Sequence, residues 1–284
     1  MIVDFHTHVF PPQIRDQRQE YLRRDPTFAE MYANPRAKIA MASDLLRSMD
    51  KSGVDVSVAL GFAWREHELC RRHNDYLLEA AARSSGRIVP FCTLNPQEEE
   101  AEEEAARCAR VGARGLGEIR PESQGWDLNG PMGEKLARLA LQYGLILLFH
   151  VTEPVGHAYP GKQGGSLGAF YEFVVRHPEV DMVGAHLSGG LPFYASMPEV
   201  REALAHLHVD TAAQPLLYGR AVYELLGRLI GPERALLGSD YPLIPQSRQI
   251  DEVRSGVPDL GAQRLILGGN AERLLRLNRG DRPK

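Results

Sequence analysis

The sequence predicts an α/β protein, a (β/α)8 TIM barrel with an insertion after its first strand. Eight short apolar segments alternate with stretches whose apolar residues recur at helical spacing, as in a parallel sheet with helical crossovers. Most of these segments are continuously apolar, which is typical of parallel strands covered on both faces. The length of 284 residues suits one barrel, which needs roughly 250. No G-x-G-x-x-G motif follows the first segment, so an open dinucleotide-binding sheet is disfavoured.

These patterns place each element along the chain. The predicted strands are 2–9, 54–62, 88–94, 113–119, 145–151, 180–186, 208–211 and 235–239. The predicted helices are 44–51, 66–84, 98–111, 131–143, 167–177, 198–207 and 218–230. Gly112, Gly144 and Gly231 stand where helices should end. Asn270 is expected to cap a final helix.

One long connection interrupts the alternation. Residues 10–35 are polar and rich in arginine, and they separate the first strand from the first barrel helix. Insertions after barrel strands lie at the C-terminal face, where barrel active sites are, so we expect a rim or lid element. An external decoration or an oligomer contact is the alternative, and a homodimer through this segment or the outer helices is possible. Without repeats or linkers, residues 1–284 are predicted to form one domain.

Composition excludes several classes of partner. The formal net charge is -4 and no basic block occurs, so no nucleic-acid partner is expected. No apolar run approaches the roughly 18 residues that span a bilayer, so no membrane association is expected. The N-terminus lacks the basic and apolar regions of a secretory signal. The three scattered cysteines, Cys70, Cys92 and Cys108, then fit reduced thiols in a cytoplasmic protein.

Polar side chains gather at the ends of the predicted strands. His6 and His8 lie two residues apart on the first strand, so both side chains point the same way. His150, His186 and Asp240 end or follow the fifth, sixth and eighth strands. Burying such groups without partners is costly, and their convergence on one rim predicts a divalent-metal site. A catalytic zinc ion needs only three protein ligands.

The same residues resemble the amidohydrolase superfamily, and most closely the amidohydrolase-related branch that contains aminocarboxymuconate-semialdehyde decarboxylase-like enzymes. Further motifs in common are T-E-P-V-G-H at 152–157, A-H-L-S-G-G at 185–190, G-S-D-Y-P at 238–242 and G-G-N-A-E-R at 268–273. The resemblance implies that His6, His8, His150 and Asp240 bind a metal, with Asp240 also able to serve as a base. It implies that His186 acts as a catalytic acid, base or electrophile. It favours one ion over two, Zn²⁺ first, with Mn²⁺ or another divalent ion as alternatives.

Glu118 leaves several roles open. It lies near the end of the fourth strand in a Gly-Glu-Ile context similar to that of TatD-like deoxyribonucleases. It could be an extra ligand, a bridge between two metals, or a partner that orients a ligating histidine. An ion pair with Arg120 or Arg114 is the structural alternative.

Residues on the loops around this site are candidates for substrate contact. They are Trp64, Arg120, His157, Tyr159 and Lys162. A solvated lysine and a structural salt bridge are the alternatives for Lys162 and Arg120. Asp210 ends the seventh strand, where an acid can hold a neighbouring histidine in one tautomer.

Three enzymatic functions and one non-enzymatic function fit these residues. The first is hydrolysis of an amide, ester or lactone-like bond of a small molecule by metal-activated water. The second is non-oxidative decarboxylation of an aromatic or unsaturated carboxylic acid. The third is a TatD-like phosphodiesterase with two metals, which would need Glu118. A barrel kept only for binding is disfavoured, because none of the main ligands is missing.

Overall fold

The computed structural model describes residues 1–163 and 165–277 and confirms the TIM barrel. Eight parallel strands are hydrogen-bonded in sequence order. They are β1 (Val3–His8), β2 (Val56–Leu60), β3 (Ile88–Cys92), β4 (Gly115–Ile119), β5 (Ile146–Phe149), β6 (Met182–Gly184), β7 (Leu207–Asp210) and β8 (Ala235–Leu236). All but two of their side chains, those of Glu118 and His208, are buried, as the continuously apolar segments predict.

The chain after β8 closes the barrel against β1. The backbone N–H of Phe5 donates to the carbonyl of Leu237 over 2.7 Å, and that of His8 donates to Tyr241 over 2.7 Å. Asp240 donates back to the carbonyl of His6 over 2.9 Å. These bonds carry the residues after β8 along β1 as far as His8, so the ends of the first and last strands share one face of the barrel.

Helices cover the outside of the barrel. They are α1 (Pro12–Asp16), α2 (Arg18–Arg24), α3 (Pro26–Tyr32), α4 (Ala42–Ser52), α5 (His67–Arg83), α6 (Ala101–Val111), α7 (Pro121–Gln124), α8 (Pro131–Tyr143), α9 (Leu167–Arg176), α10 (Pro198–Ala203), α11 (Gln214–Leu217), α12 (Val222–Leu229), α13 (Gln246–Gly256), α14 (Leu260–Arg264) and α15 (Asn270–Leu274). An irregular helical segment spans His186–Ser196, and short helical turns span Leu204–His206, Pro232–Arg234 and Leu265–Gly269. Within the described ranges, no helix is both long and apolar enough to cross a membrane.

Asn270 does not cap the last helix, contrary to the sequence-based expectation. It is the first residue of α15, and its side-chain amide donates to the carbonyls of Pro232 and Ala235 over 2.8 and 2.7 Å. Asn270 therefore ties α15 to the start of β8, because two buried carbonyls there need a donor.

The segment 10–35, which we call the rim insertion, folds into the three short helices α1 to α3. Asp25 caps α3 by accepting from the N–H of Phe28 over 2.8 Å, and its second oxygen accepts from the N–H of Arg65 over 3.1 Å. Aromatic side chains of the insertion pack with those that follow β1 and β2 in one buried cluster, in which Phe28 stacks on Trp64 with ring centroids 5.3 Å apart. This packing holds the rim insertion at the C-terminal ends of β1 and β2.

Seven of the eight strands are shorter than predicted, and β6 and β8 are the shortest because the chain leaves the sheet early there. β6 ends at Gly184, and residues 187–190 then turn with positive φ. Gly189 is required there, since a Cβ atom would lie 2.6 Å from the carbonyl oxygen of Thr152. After β8 the backbone reaches Asp240, whose φ of 60° is uncommon for a residue other than glycine. Such conformations are often found at functional sites.

Candidate metal centre

His6 and His8 aim their imidazoles at one point at the C-terminal mouth of the barrel. Their Nε2 atoms are 3.1 Å apart, as the alternation of side chains along β1 predicts. The Nδ1–H of His6 donates to Oδ2 of the buried Asp210 over 2.7 Å. That bond keeps a ring proton on Nδ1, so Nε2 is the nitrogen that faces the shared point. A carboxylate behind a histidine is the arrangement by which proteins orient metal ligands.

Carboxylate oxygens complete this first group of donors. Oδ1 of Asp240 lies 3.7 Å from Nε2 of His6 and 3.5 Å from Nε2 of His8. Oε2 of Glu118 lies 3.5 Å from Nε2 of His8. Ligand atoms at roughly 2.0–2.1 Å from a tetrahedral ion are roughly 3.3 Å from one another. The spacing and the nitrogen and oxygen chemistry of these donors therefore fit a divalent metal ion.

Glu118 also faces a second group of donors. Its Oε1 accepts from Nδ1 of His150 at 2.8 Å and lies 3.3 Å from Nε2 of His186. His186 Nε2 and His150 Nδ1 are 3.2 Å apart. Glu118 thus lies between His6 and His8 on one side and His150 and His186 on the other. The geometry is compatible with all three roles left open by the sequence: a ligand, a bridge between two metals, or a partner that orients His150.

The four predicted ligands do not form one tight set in this geometry. His6, His8 and Asp240 lie together, whereas His150 is grouped with Glu118 and His186. The backbone explains the separation, because the other ring nitrogen of His150, Nε2, bonds to the carbonyl of Gly161 over 2.7 Å. That contact turns Nδ1 of His150 toward Glu118.

Electrostatics make the centre attractive to cations. Burial opposes a charge on His6, but the negative charges of Asp210 and Glu118 raise its pKa to about 10. Burial likewise opposes a charge on His186, and the hydrogen bond and charge of Glu118 raise its pKa to about 9. Burial alone would raise the pKa of Glu118, but the nearby His150 and His6 hold it well below its usual value. Burial and the charge of His6 lower the pKa of His8.

Asp210 and Asp4 support the ligands from behind. Asp210 Oδ1 accepts from the backbone N–H of His186 over 3.0 Å, so one carboxylate contacts the ring of His6 and the backbone of His186. Asp4 was not singled out from the sequence. It is buried, accepts from the N–H and the hydroxyl of Ser239 over 2.9 and 2.6 Å, and thereby fixes the loop that presents Asp240.

The predicted substrate contacts on the β5 loop bond mainly to that loop. Lys162 Nζ donates to the carbonyls of Val155 and His157 over 2.5 and 2.8 Å. The hydroxyl of Tyr159 donates to Glu153 over 2.8 Å, and its ring lies 5.5 Å from the exposed ring of His157. His157, Tyr159 and Lys162 therefore stabilise the shape of the loop, and their contact with a substrate stays a prediction.

Trp64 and Arg120 are buried elsewhere at the mouth. Trp64 is fully buried in the aromatic cluster, and its indole N–H donates to Nδ1 of His73 over 3.1 Å, so it packs beneath the rim insertion. Arg120 is 5% exposed and pairs with Glu30 of the insertion at 3.2 Å. The structural salt bridge considered for Arg120 is present, although its partner comes from the insertion.

Tyr32, at the end of α3, is a further residue that the sequence did not single out. Its ring packs on Phe28 at 4.7 Å and on Phe10 at 5.4 Å. Burial and then the charges of Asp240 and Glu118 raise its pKa, so the phenol stays protonated within electrostatic range of both carboxylates. The rim insertion thus brings a neutral hydroxyl group near the centre.

Comparison with known proteins assigns the family. The sequence model described as amidohydrolase matches residues 3–277. The chain belongs to the amidohydrolase family. It is accordingly an enzyme of that family, and the family and the donor geometry together support a divalent metal at this centre. No curated protein gives a significant match to the chain.

Solved structures share the fold of this chain over nearly its whole length. The 5-carboxyvanillate decarboxylase of Sphingomonas paucimobilis is 18% identical, with 98% of this chain and 99% of that chain covered and a TM-score of 0.80. The 2,6-dihydroxybenzoate decarboxylase from Rhizobium is 18% identical, with coverages of 97% and 98% and a TM-score of 0.76. A 5-carboxyvanillate decarboxylase of Novosphingobium aromaticivorans, complexed with manganese and 4-hydroxy-3-methoxy-5-nitrobenzoic acid, is 15% identical, with coverages of 98% and 96% and a TM-score of 0.80.

Proposed function

We propose that this amidohydrolase-family enzyme is a metal-dependent, non-oxidative decarboxylase of an aromatic or unsaturated carboxylic acid. The observation that carries the proposal is the buried pair of His186 and Glu118, whose Nε2 and Oε1 atoms are 3.3 Å apart beside the metal ligands. Burial opposes a charge on His186, but the hydrogen bond and charge of Glu118 raise its pKa to about 9, so Glu118 favours the protonated imidazole.

A proton donor is what decarboxylation requires. The carbon–carboxylate bond breaks, CO₂ leaves, and the electron pair left on the carbon takes up one proton in place of the carboxylate. His186 can deliver that proton from a buried position. Hydrolysis makes the opposite demand at its first step, since water must lose a proton to a base. The position of His186 beside Glu118 therefore supports decarboxylation.

The residues that would hold the metal are His6, His8 and Asp240, with one oxygen of Glu118. When bound, the ion supplies a Lewis acid that polarises an oxygen of the substrate and orients it. Asp210 keeps the Nε2 lone pair of His6 available for this purpose. We propose a single ion, Zn²⁺ or Mn²⁺, since Mn²⁺ accompanies the benzoate analogue in one solved neighbour.

The enclosure of the centre also supports loss of CO₂. The side chains of all six donor residues are at most 16% exposed. A carboxylate held in such a site loses most of its hydration, and exclusion of water removes the competing hydrolytic nucleophile. The solved neighbours that act on carboxyvanillate and dihydroxybenzoate support an aromatic acid as the substrate class.

Hydrolysis is the second candidate, because Glu118 faces both groups of donors. Oε2 lies 3.5 Å from His8, and Oε1 lies 2.8 Å from His150. A carboxylate so placed can bridge two ions, and Asp240 beside them could accept a proton from water. An amide, ester or lactone would be the substrate of such a centre, or a phosphodiester if the chemistry is TatD-like.

Product analysis in D₂O distinguishes the two. Enzyme loaded with Mn²⁺ or Zn²⁺ is incubated with hydroxybenzoates and unsaturated acids, while headspace CO₂ is measured and the product is examined by mass spectrometry. We expect CO₂ and one deuterium at the carbon that lost it. Parallel assays use ester, lactone, amide and phosphodiester substrates. Turnover of one of these without CO₂ from any acid, together with two metal ions per chain, would overturn the proposal in favour of hydrolysis.

Two variants make this experiment specific to the site. His186→Gln removes the proposed proton donor, so CO₂ release should be lost. His177→Gln changes another buried histidine, which lies on the outer helices near Glu134 and far from the centre. That control should retain the activity of the unaltered enzyme.

A further inference from the structure

Glu30 connects the rim insertion to the loop that follows β5. Its Oε1 accepts from the backbone N–H of Gly161 over 2.8 Å, and its Oε2 pairs with Nη2 of Arg120 at 3.2 Å. Arg120 Nη2 also donates to the carbonyls of Gly161, over 3.2 Å, and Gln163. We call Glu30, Arg120 and Gly161 the Glu30 clamp. It joins three separate segments of the chain around one peptide group.

The carbonyl at the middle of the clamp also contacts the metal centre. Gly161 O lies 2.7 Å from Nε2 of His150. A carbonyl can only accept, so Nε2 of His150 must carry a ring proton. The other ring nitrogen, Nδ1, then faces Oε1 of Glu118 at 2.8 Å and Nε2 of His186 at 3.2 Å. The position of this one carbonyl therefore selects the nitrogen that His150 presents to the centre.

We propose that Glu30 and Arg120 are positioning residues that act through the Gly161 carbonyl to fix the ring orientation of His150. The inference rests on the metal centre of the proposed function, and it is independent of which bond the enzyme breaks. It assigns the rim insertion a part in building the centre in addition to covering it. Neither Glu30 nor Arg120 has to touch the substrate for this role.

Burial and packing support the clamp as a defined arrangement. Arg120 is 5% exposed, and a buried guanidinium group without a carboxylate partner would be costly. Gly161 has a φ of +93°, and a Cβ atom there would lie 2.9 Å from the sulfur atom of Met31, so α3 packs directly on this peptide. Thr152 holds the next carbonyl, that of Lys162, over 2.7 Å. The Gly161 carbonyl is thus restrained from both sides.

Two substitutions at Glu30 separate the contacts of the clamp. Glu30→Ala removes both, so the Gly161 carbonyl should move and His150 should lose its fixed orientation. Glu30→Gln keeps an oxygen that can accept from the N–H of Gly161 while removing the charge opposite Arg120. Because Glu30 is 38% exposed, both variants are expected to fold, which a thermal melt would check.

A matched control exists on the same insertion. Arg24 pairs with Glu66 at 2.5 Å and ties α2 to the start of α5. Glu66→Ala removes an ion pair of the insertion that has no contact with Gly161 or His150. Any general loosening of the insertion should therefore appear in this control as well as in Glu30→Ala.

The measurement is a titration of each metal-free protein with Co²⁺, in which binding is monitored by visible absorption. The spectrum depends on ligand identity and geometry and requires no substrate. We expect Glu30→Ala to weaken Co²⁺ binding by about tenfold and to change the absorption bands, because His150 contacts Glu118, one of the residues that would hold the metal. Loss of residues that orient metal ligands usually has an effect of this size. Glu30→Gln should restore most of the binding and of the spectrum, and Glu66→Ala should match the unaltered protein.

Two results would overturn the inference. One is a folded Glu30→Ala protein with unchanged Co²⁺ affinity and unchanged bands. The other is an equal loss in Glu30→Ala and Glu66→Ala, which would indicate a general effect of the insertion. CO₂ release tests the proposed function, and the Co²⁺ spectrum tests the clamp. A failure of one proposal can therefore be distinguished from a failure of the other. Failure of the unaltered protein to bind Co²⁺ would overturn both.

Discussion

Asp210→Asn should weaken metal binding at the centre because it changes one acceptor into a donor. In the unaltered protein Asp210 accepts three hydrogen bonds, from Nδ1 of His6 over 2.7 Å and from the backbone N–H groups of His186 and Ala212 over 3.0 and 2.9 Å. An asparagine has the same shape but only one oxygen. Its amide group must face either His6 or the two backbone N–H groups.

The less costly orientation directs the amide toward His6. The other would place it against two backbone donors that have no alternative partner, at roughly 1–3 kcal/mol for each unsatisfied group. With the amide facing Nδ1, His6 must carry its proton on Nε2, the nitrogen that faces Asp240 and His8. The lost charge-assisted hydrogen bond contributes about 1.5–3 kcal/mol, which corresponds to a 10-fold to 100-fold weaker metal affinity.

Competition with a chromophoric chelator measures this affinity for Zn²⁺ or Mn²⁺. Glu104→Gln is the control, since Glu104 is also buried and accepts from Asn74 and Arg107 over 2.7 Å, but lies on α6 away from the centre. It should lower the melting temperature without changing the metal affinity. A folded Asp210→Asn protein that binds metal as tightly as the unaltered protein would refute the assignment of the His6 tautomer.

Three further predictions concern proton transfer, substrate contact and pH. His186→Gln should lower kcat by about 10²–10⁴-fold with little change in metal affinity, because it removes the proposed acid but none of His6, His8 and Asp240. Equal losses in kcat and in metal affinity would contradict this role. Tyr32→Phe should raise KM for the acid by about tenfold with kcat nearly unchanged, measured by steady-state kinetics, if the hydroxyl binds the substrate anion. Metal affinity should rise with pH until about 10, because the pKa of His6 is raised and the ion must displace its proton. Calorimetry in buffers of different ionisation enthalpy would detect the release, and a flat profile would contradict it.

The barrel and the membership of the site were predictable because both depend on local patterns. Continuous apolar strands and helical crossovers determine the architecture, and the helix at Pro131–Tyr143 has the bounds predicted for it. The alternation of side chains in β1 places His6 and His8 on one face without further information. Residues at the ends of parallel barrel strands meet at one mouth, which brings His186 and Asp240 into the same cluster.

The arrangement within the site depends on contacts between distant segments, which no local pattern encodes. Nothing near His150 indicates that a carbonyl eleven residues later will bond to its Nε2 and turn Nδ1 toward Glu118. Trp64 follows a barrel strand, as a pocket residue would, but the helices of the rim insertion bury it. Tyr32 lies in a stretch without clear periodicity, so its place near the centre emerges only when the insertion is folded.

The two halves of the centre are supported by different parts of the molecule. The carboxylate of Asp210, at the end of β7, bonds to the imidazole of His6 and to the backbone N–H of His186. The barrel itself therefore couples metal binding to proton delivery. His150 is oriented by the β5 loop, which the rim insertion holds through Glu30. A substitution of Asp210 should therefore affect both metal affinity and the pH dependence of turnover. A substitution of Glu30 should act through His150, because the Gly161 carbonyl of the Glu30 clamp bonds to the His150 ring.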